Sequence, residues 1–288
     1  MAYELSLSSK KYVLYVNKYM ENASAALGKG SYYHAEFAAK GKSGLSFGVM
    51  QNDVRTNAFA REKFIYILNK EGFKNPEIDN IIKSATQQAI SKQEFIKNIG
   101  VDNYNRINEA LEKNKDIVDQ LDTKSAQRIL KSIETAIETI GERGVFNQSH
   151  PDFYQAIARM GHWSNQTGGL NEFQKYFVKM EKEPSIQDIK DYLKNQRNFD
   201  IENNHQAQDY SKWEKRMEQA QKYAFDQQKL DTLDSKFLLP WEQTQDSDWK
   251  VIPSYSTDRC NFLWYDLEPF RKLTPFRYSK VYAYDPLT

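Results

Sequence analysis

The chain has 288 residues, of which 40% are hydrophobic and 27% charged, and its 40 lysines and arginines against 39 aspartates and glutamates leave a formal net charge of +1. This size allows one large domain with a smaller appendage. The balanced charge provides no overall field to attract nucleic acid, so we expect no nucleic-acid partner. The single cysteine, Cys260, excludes an internal disulfide and a thiolate zinc site.

Hydropathy and the N-terminal sequence bear on where the protein works. No stretch approaches the roughly 20 apolar residues of a membrane-spanning helix. Residues 1–6 lack the basic and apolar regions of a secretory signal. We therefore expect synthesis in the cytoplasm without a signal peptide and no membrane span.

Hydrophobic periodicity predicts helices on both sides of a short irregular segment near the N-terminus. A first amphipathic helix ends near Gly28, and another runs from Asn57 to Gly72. Between them, residues 29–53 are rich in glycine, and residues 45–49 alternate as a strand does. We predict a short hairpin, or a loop with one strand, in this segment.

Helical periodicity then continues through the middle of the chain, with glycines and prolines at the expected helix ends. The predicted helices cover residues 76–89, 92–99, 104–121, 125–140, 151–163, 170–180 and 186–193. The fold class that follows is mainly α with a small β-hairpin.

The C-terminal third differs in texture from the rest. A polar stretch over residues 195–208 predicts a linker between a domain over residues 1–200 and a C-terminal part over residues 201–288. That part begins with a helix over residues 209–230. From Leu239 onward aromatic residues and prolines alternate, which favours an extended segment that clamps the main domain or forms part of a ligand surface.

One carboxylate in the irregular segment has apolar and aromatic neighbours. Glu36 follows Tyr33 and Ala35 and precedes Phe37. Glycosidic cleavage requires a proton donor that is still protonated near neutral pH, and burial among apolar groups raises the pKa of a carboxyl group. Glu36 is therefore a candidate general acid, with an exposed surface carboxylate as the alternative.

The segment from Glu36 through Gly44-Leu45-Ser46-Phe47-Gly48-Val49-Met50-Gln51 resembles the lysozyme-like superfamily, particularly lytic transglycosylases and goose-type lysozymes. The resemblance implies a helical lobe around a small hairpin. It also implies a glutamate that protonates the oxygen between N-acetylmuramic acid and N-acetylglucosamine. Carried onto this chain, it gives Glu36 the acid role and places Gln51 along the substrate groove.

Three further residues of the same segment are candidates. Asp53 is a possible second carboxylate that positions water or supports the cationic transition state, and the alternative is a turn or helix-capping aspartate. Ser46 is expected to hold a water or a sugar hydroxyl, or else to bond neighbouring backbone. Asn52 is expected, with Gln51, to present an amide to the substrate.

A second cluster, over residues 160–169, groups an aromatic side chain, amides and a double glycine at a helix end. In the superfamily a distant helix end faces the catalytic glutamate across the groove. By that analogy Trp163, Asn165 and Gln166 contact N-acetyl or hydroxyl groups, and the alternative is a helix end with a buried tryptophan. Glu142 is an alternative acid, or part of a solvated helix-end pair.

The histidines do not indicate a metal site. His34, His150, His162 and His205 have no ligand spacing, so we expect no metal and no cofactor.

Together these features predict a peptidoglycan-degrading muramidase or lytic transglycosylase. Such an enzyme would reach the periplasm or cell wall through phage lysis or a bacterial secretion system, and a secreted antibacterial effector would have an immunity protein as partner. Two alternatives stay open. One is a chitinase or chitosanase, and the other is a non-enzymatic helical scaffold or carbohydrate-binding protein that uses its aromatic C-terminal segment.

Overall fold

The computed structural model of the chain describes residues 3–37, 43–202 and 209–231. These ranges are mainly helical and contain one small antiparallel sheet, as predicted. In chain order the elements are α1 (Leu7–Glu21), α2 (Ala23–Ala26), β1 (Glu36–Phe37), β2 (Leu45–Phe47), β3 (Asn52–Asp53), α3 (Ala58–Lys70), α4 (Asn75–Ala85), α5 (Lys92–Ile99), α6 (Val101–Lys113), α7 (Lys115–Ile140), a short 3-10 helix (Gly144–Phe146), α8 (Phe153–Thr167), α9 (Asn171–Val178), α10 (Ile186–Glu202) and α11 (Tyr210–Asp231).

The irregular segment forms three strands in the order β1-β2-β3, one more than a hairpin. The predicted strand is the central one. Leu45 and Phe47 are fully buried and pack in an apolar core with the helices that follow. The rings of Phe47 and Phe64 have centroids 5.6 Å apart. This core fixes the sheet to α3, because a shift of one residue would turn both apolar side chains away from it.

Two asparagines end helices at positions that the sequence did not predict. Asn22 ends α1 before Gly28, and its side-chain oxygen caps α2 by accepting the Ala25 N–H at 3.0 Å. The fully buried Asn114 separates α6 from α7, because its side-chain amide donates to the Ala110 carbonyl at 2.8 Å. The predicted break between residues 121 and 125 is therefore wrong, and α7 is one helix of 26 residues.

The helix α7 packs against α8, and α8 crosses α1 closely at a glycine. A Cβ atom on Gly161 would lie 2.6 Å from Val13 Cγ1 and 3.1 Å from Asn17 Nδ2. Because no larger residue fits between the helices at this distance, Gly161 sets how near α1 and α8 approach.

The last described helix, α11, belongs with the residues before it. Trp213 is buried, and the rings of Tyr12 on α1 and Phe225 on α11 have centroids 5.0 Å apart. The compact unit that contains α11 runs from Met1 to Trp241, so the predicted boundary near residue 200 falls inside it. The second unit, from Glu242, lies outside the described residues, as does the predicted aromatic segment.

Several predicted helices agree closely with the structure. α3 is capped by Asn57, whose side chain accepts the Ala60 N–H, and α5 has the predicted bounds. α10 extends beyond its predicted end at residue 193, into the stretch assigned to a linker. Within the described ranges, no helix combines the length and apolar character needed to cross a membrane.

Gly161→Ala is expected to destabilise the fold by up to about 2 kcal/mol. Overpacking costs roughly 1–3 kcal/mol, and the better helix propensity of alanine offsets about 1 kcal/mol of that cost. Gly169→Ala is the control, since nothing lies within 4 Å of a Cβ atom there. Urea unfolding of both variants measures the difference, and equal stability of the two would contradict close α1–α8 packing.

Candidate active site

Three polar residues form one row across the sheet. The register pairs Glu36 of β1 with Ser46 of β2, and Ser46 with Asp53 of β3. Directly opposite residues in antiparallel strands project their side chains to the same face, so two carboxylates flank a serine. Since neighbouring strands lie about 4.8 Å apart, the Cα atoms of Glu36 and Asp53 are separated by about 10 Å. We call Glu36, Ser46 and Asp53 the sheet row.

Glu36 has polar partners in place of the predicted apolar surroundings. Its Oε1 lies 2.5 Å from Nε2 of His34 and accepts a hydrogen bond of 3.1 Å from the side-chain amide of Asn22. The side chain is 35% exposed. The predicted burial of Glu36 among apolar groups is therefore wrong. Both contacts engage Oε1, so among the described residues Oε2 is the oxygen open to a ligand.

The backbone before Glu36 is held by α6 and α7. The Tyr33 hydroxyl donates to Asp119 at 2.9 Å, and the Ala35 N–H donates to the Asn108 side chain at 2.8 Å. These two bonds fix the chain on both sides of residue 34. The position of Glu36 is thus set by long-range contacts as well as by its strand.

Asp53 stabilises a turn, which was one of the alternatives that the sequence analysis left open. Its Oδ1 accepts the backbone N–H groups of Arg55 at 2.8 Å and Gly44 at 3.2 Å. Its Oδ2 accepts the Thr56 hydroxyl at 2.9 Å. These bonds fix the direction of the carboxylate while leaving the side chain half-buried. The helix cap itself is Asn57, not Asp53.

The turn between β2 and β3 is held by a buried carboxyl group that the sequence did not single out. Asp122 of α7 accepts the N–H groups of Val49 at 2.8 Å and Met50 at 2.9 Å, and the Asn52 amide at 2.7 Å. A Cβ atom on Gly48 would lie 2.6 Å from Asp122 Oδ1, and Gly48 has a φ of +82°. We call Asp122 with these three donors the Asp122 clasp.

Burial dominates the electrostatics of the clasp. Asp122 is fully buried, and this burial raises its pKa to about 7, although the donors from Met50, Val49 and Asn52 favour the ionised form. The nearby Asp119 raises the pKa further. The clasp therefore contains a carboxyl group that changes protonation near neutral pH.

Two residues predicted to bind substrate, Asn52 and Gln51, instead make hydrogen bonds within the clasp and its turn. Asn52 is 2% exposed, and its Oδ1 accepts the Ser125 hydroxyl at 2.8 Å. Its expected role as a substrate contact is wrong, because the amide is used inside the protein. Gln51 adopts a left-handed conformation with φ of 51° and donates to the Gly48 carbonyl. Ser46 is only 6% exposed.

The second predicted cluster is also largely internal. Trp163 is 8% exposed, in keeping with the buried tryptophan that was the alternative. The Gln166 side-chain oxygen accepts from Arg197 at 2.6 Å. Asn165 donates to Glu21 Oε1 at 2.8 Å. Since Glu21 precedes Asn22, which donates to Glu36, the predicted cluster does reach the end of α1 that contacts the sheet row.

Glu142 lies in a different part of the molecule. With Tyr3, Glu138 and Gln148 it lines a cleft of about 430 Å³ at the end of α7. No residue of the sheet row lines this cleft. The alternative acid is therefore not grouped with Glu36.

Two acidic residues, the buried Asp122 and the half-buried Glu21, were not identified from the sequence. Both interrupt an apolar helical stripe, since Asp122 follows Val118 by four residues and Glu21 follows Val13 by eight. A carboxylate on the buried face of a helix requires partners, and this pattern was the available signal. Among the described residues, no group of three His, Cys, Asp or Glu side chains is placed to hold a metal ion.

No protein-family model, curated protein or solved structure matches the chain. The resemblance to the lysozyme-like superfamily therefore rests on the residues quoted from the chain itself.

Asp122→Asn is expected to change how stability depends on pH. The pKa of Asp122 rises from 3.8 to about 7 on folding. The folded protein holds this proton more tightly, so the associated stability is lost as the pH rises through that window. The asparagine has no proton to lose. The wild type should therefore lose on the order of 4 kcal/mol relative to the variant between these pH values.

Urea unfolding at pH 3.5 to 8 measures this difference. Asp79→Asn, at an exposed position of α4, controls for the loss of one negative charge. A difference between wild type and Asp122→Asn that stays constant, or that favours the wild type increasingly as the pH rises, would show that the three donors outweigh burial.

Proposed function

We propose that the protein cleaves the β-1,4 glycosidic bond between N-acetylmuramic acid and N-acetylglucosamine in peptidoglycan, as a muramidase or lytic transglycosylase. The observation that carries the proposal is the sheet row, in which Glu36 and Asp53 flank Ser46 on one face. Two-carboxylate glycosidases that invert configuration have carboxyl groups about 6.5–9.5 Å apart. Two side chains on Cα atoms about 10 Å apart can span this range.

The chemistry requires one proton donor and one carboxylate. A carboxyl group protonates the leaving oxygen as the C1–O bond breaks, and the bonding electrons pass to that oxygen. A carboxylate supports the cation at C1 and takes a proton from the attacking water, or from a hydroxyl of the sugar itself. The resemblance gives the donor role to Glu36 and leaves the second role to Asp53.

The architecture supports the same proposal. The resemblance implies a helical lobe beside a small sheet, and the described residues have mainly helices and a three-stranded sheet that carries Glu36. The Asp122 clasp holds the Gly48–Asn52 turn against α7, so the motif that carries the resemblance is rigidly placed.

A peptidoglycan substrate has consequences for delivery and partners. The polymer lies in the periplasm or cell wall, so the enzyme would reach it by phage lysis or through a secretion system. A producing bacterium would then need an immunity protein that blocks the site.

Glu36→Gln is expected to lower the release of soluble fragments from dye-labelled peptidoglycan by roughly 10²–10⁴-fold, the usual contribution of an acid–base group. Asp53→Asn should lower it by at least about tenfold, because the amide cannot accept a proton in the reaction. The assay uses the full chain, with thermal unfolding recorded for each variant.

Glu109→Gln on the exposed face of α6 is the matched control and should retain wild-type activity. Full activity of a folded Glu36→Gln variant would exclude the sheet row as the site. Absence of fragment release by the wild-type chain would contradict the proposed function.

A further inference from the structure

A third carboxyl group lies next to the sheet row, at the end of α1. Glu21 is the last residue of this helix, and the following residue, Asn22, donates to Glu36 at 3.1 Å. The backbone spacing of 3.8 Å, the reach of the asparagine side chain and this bond together place the Glu21 Cα within about 10 Å of the Glu36 carboxylate. This bound is compatible with both side chains reaching one sugar–sugar linkage.

Two residues of α8 lie beside the Glu21 carboxylate, and one of them donates a hydrogen bond to it. Asn165 donates to Oε1 at 2.8 Å, and Nε2 of His162 lies 3.6 Å from the same oxygen. Nδ1 of His162 accepts the indole N–H of Trp213 at 3.1 Å. Because Nδ1 is an acceptor, the ring proton sits on Nε2 and faces Glu21.

The imidazole at this position is neutral. Burial lowers the pKa of His162 to about 3, and the positive charges of Arg197 and Arg216 lower it further. His162 therefore lies beside Glu21 without placing a full positive charge there. The hydrogen bond from the Trp213 indole fixes the tautomer of His162.

The surroundings of Glu21 favour its protonated form. Burial raises its pKa, and this effect exceeds the opposing effects of the Asn165 hydrogen bond and the charge of Arg216 on α11. Among the described residues, His162 on α8 lies beside this carboxyl group and the charge of Arg216 on α11 acts on it. The side chain as a whole is 18% exposed.

The distribution of contacts over the two oxygens of Glu21 is consistent with proton delivery. The contacts from Asn165 and His162 both engage Oε1. Among the described residues, neither a donor nor an acceptor engages Oε2. A protonated Oε2 would therefore present its hydrogen to a ligand and not to the protein.

We propose that Glu21 delivers the proton to the leaving glycosidic oxygen, which leaves Glu36 as the partner carboxylate on the sheet. The inference rests on the proposed function. In the step, the Glu21 proton bonds to the bridging oxygen while the C1–O bond breaks and its electron pair stays on that oxygen. The proton of the capturing water passes to Glu36 or Asp53, and Glu21 regains a proton from solvent.

The test compares two substrates that differ in their need for an acid. Peptidoglycan has a poor leaving group, whereas a 4-nitrophenyl glycoside of an N-acetylglucosamine oligomer releases nitrophenolate without protonation. Glu21→Gln is expected to lose roughly 10²–10⁴-fold on peptidoglycan and less than about tenfold on the nitrophenyl glycoside. Glu36→Gln should lose activity on both.

The dependence of activity on pH distinguishes a proton donor from a residue with a purely structural role. In the wild type, activity on peptidoglycan should fall at high pH as Glu21 loses its proton, and Glu21→Gln should lack this limb. The glutamine keeps an oxygen that accepts from Asn165, so the variant is expected to fold. Glu172→Gln, at an exposed position on α9, is the control.

Carbon-13 NMR titration of the wild-type carboxyl groups tests the inference independently of any variant. A Glu21 pKa above the ordinary 4.5 supports it, and a pKa at or below this value overturns it. Wild-type activity of Glu21→Gln on peptidoglycan, or equal losses on both substrates, also overturns it. Inactivity of the wild type on both substrates instead contradicts the proposed function.

Discussion

The constraint on which the sheet depends is a carboxyl group buried in the middle of the long helix α7. Asp122 accepts two backbone N–H groups and one side-chain amide from the turn between β2 and β3. Without this acceptor, three donors would be left unpaired in a region closed to water, at about 1–3 kcal/mol each. The strands are only two or three residues long, so their own ladder bonds are too few to fix the turn.

The same constraint explains the choice of residues around the turn. Gly48 has a positive φ and faces the Asp122 oxygens so closely that no Cβ atom fits. Asn52 connects the clasp to Ser125, one helical turn after Asp122. The motif that resembles a lysozyme-like turn is thus also the part of the sheet that α7 grips. The polar groups of this motif hold Asp53 and Ser46 in place, and they bond within the protein and not to a substrate surface.

Local patterns predicted the elements well but not the partners of the polar residues. Caps and periodicity located α3 and α5, because these signals lie within the segments themselves. The sequence did not predict β3, because this strand has only two residues and its pairing with β2 leaves no alternating pattern of its own. The break at Asn114 depends on burial of one amide, and asparagine in a helical pattern does not by itself indicate a break.

Some residues of the candidate site could be predicted from the sequence and others could not. Glu36 and Asp53 were found from residue type and order, and the register brought them into one row. Asp122 and Glu21 were not found, because their partners lie 72 and 144 residues away in the chain. A carboxylate on an apolar helical stripe indicates that a partner exists, but the fold decides which one. For the same reason the expected surroundings of Glu36 and the expected exposure of Asn52 were wrong.

We propose that the sheet row and the end of α1 form one site that opens a sugar–sugar bond. Mass analysis of the soluble products from purified peptidoglycan tests it most directly. We expect muropeptides opened between N-acetylmuramic acid and N-acetylglucosamine, with either reducing or anhydro ends, which differ by one water. Intact glycan strands, or fragments separated only at peptide bonds, would contradict it.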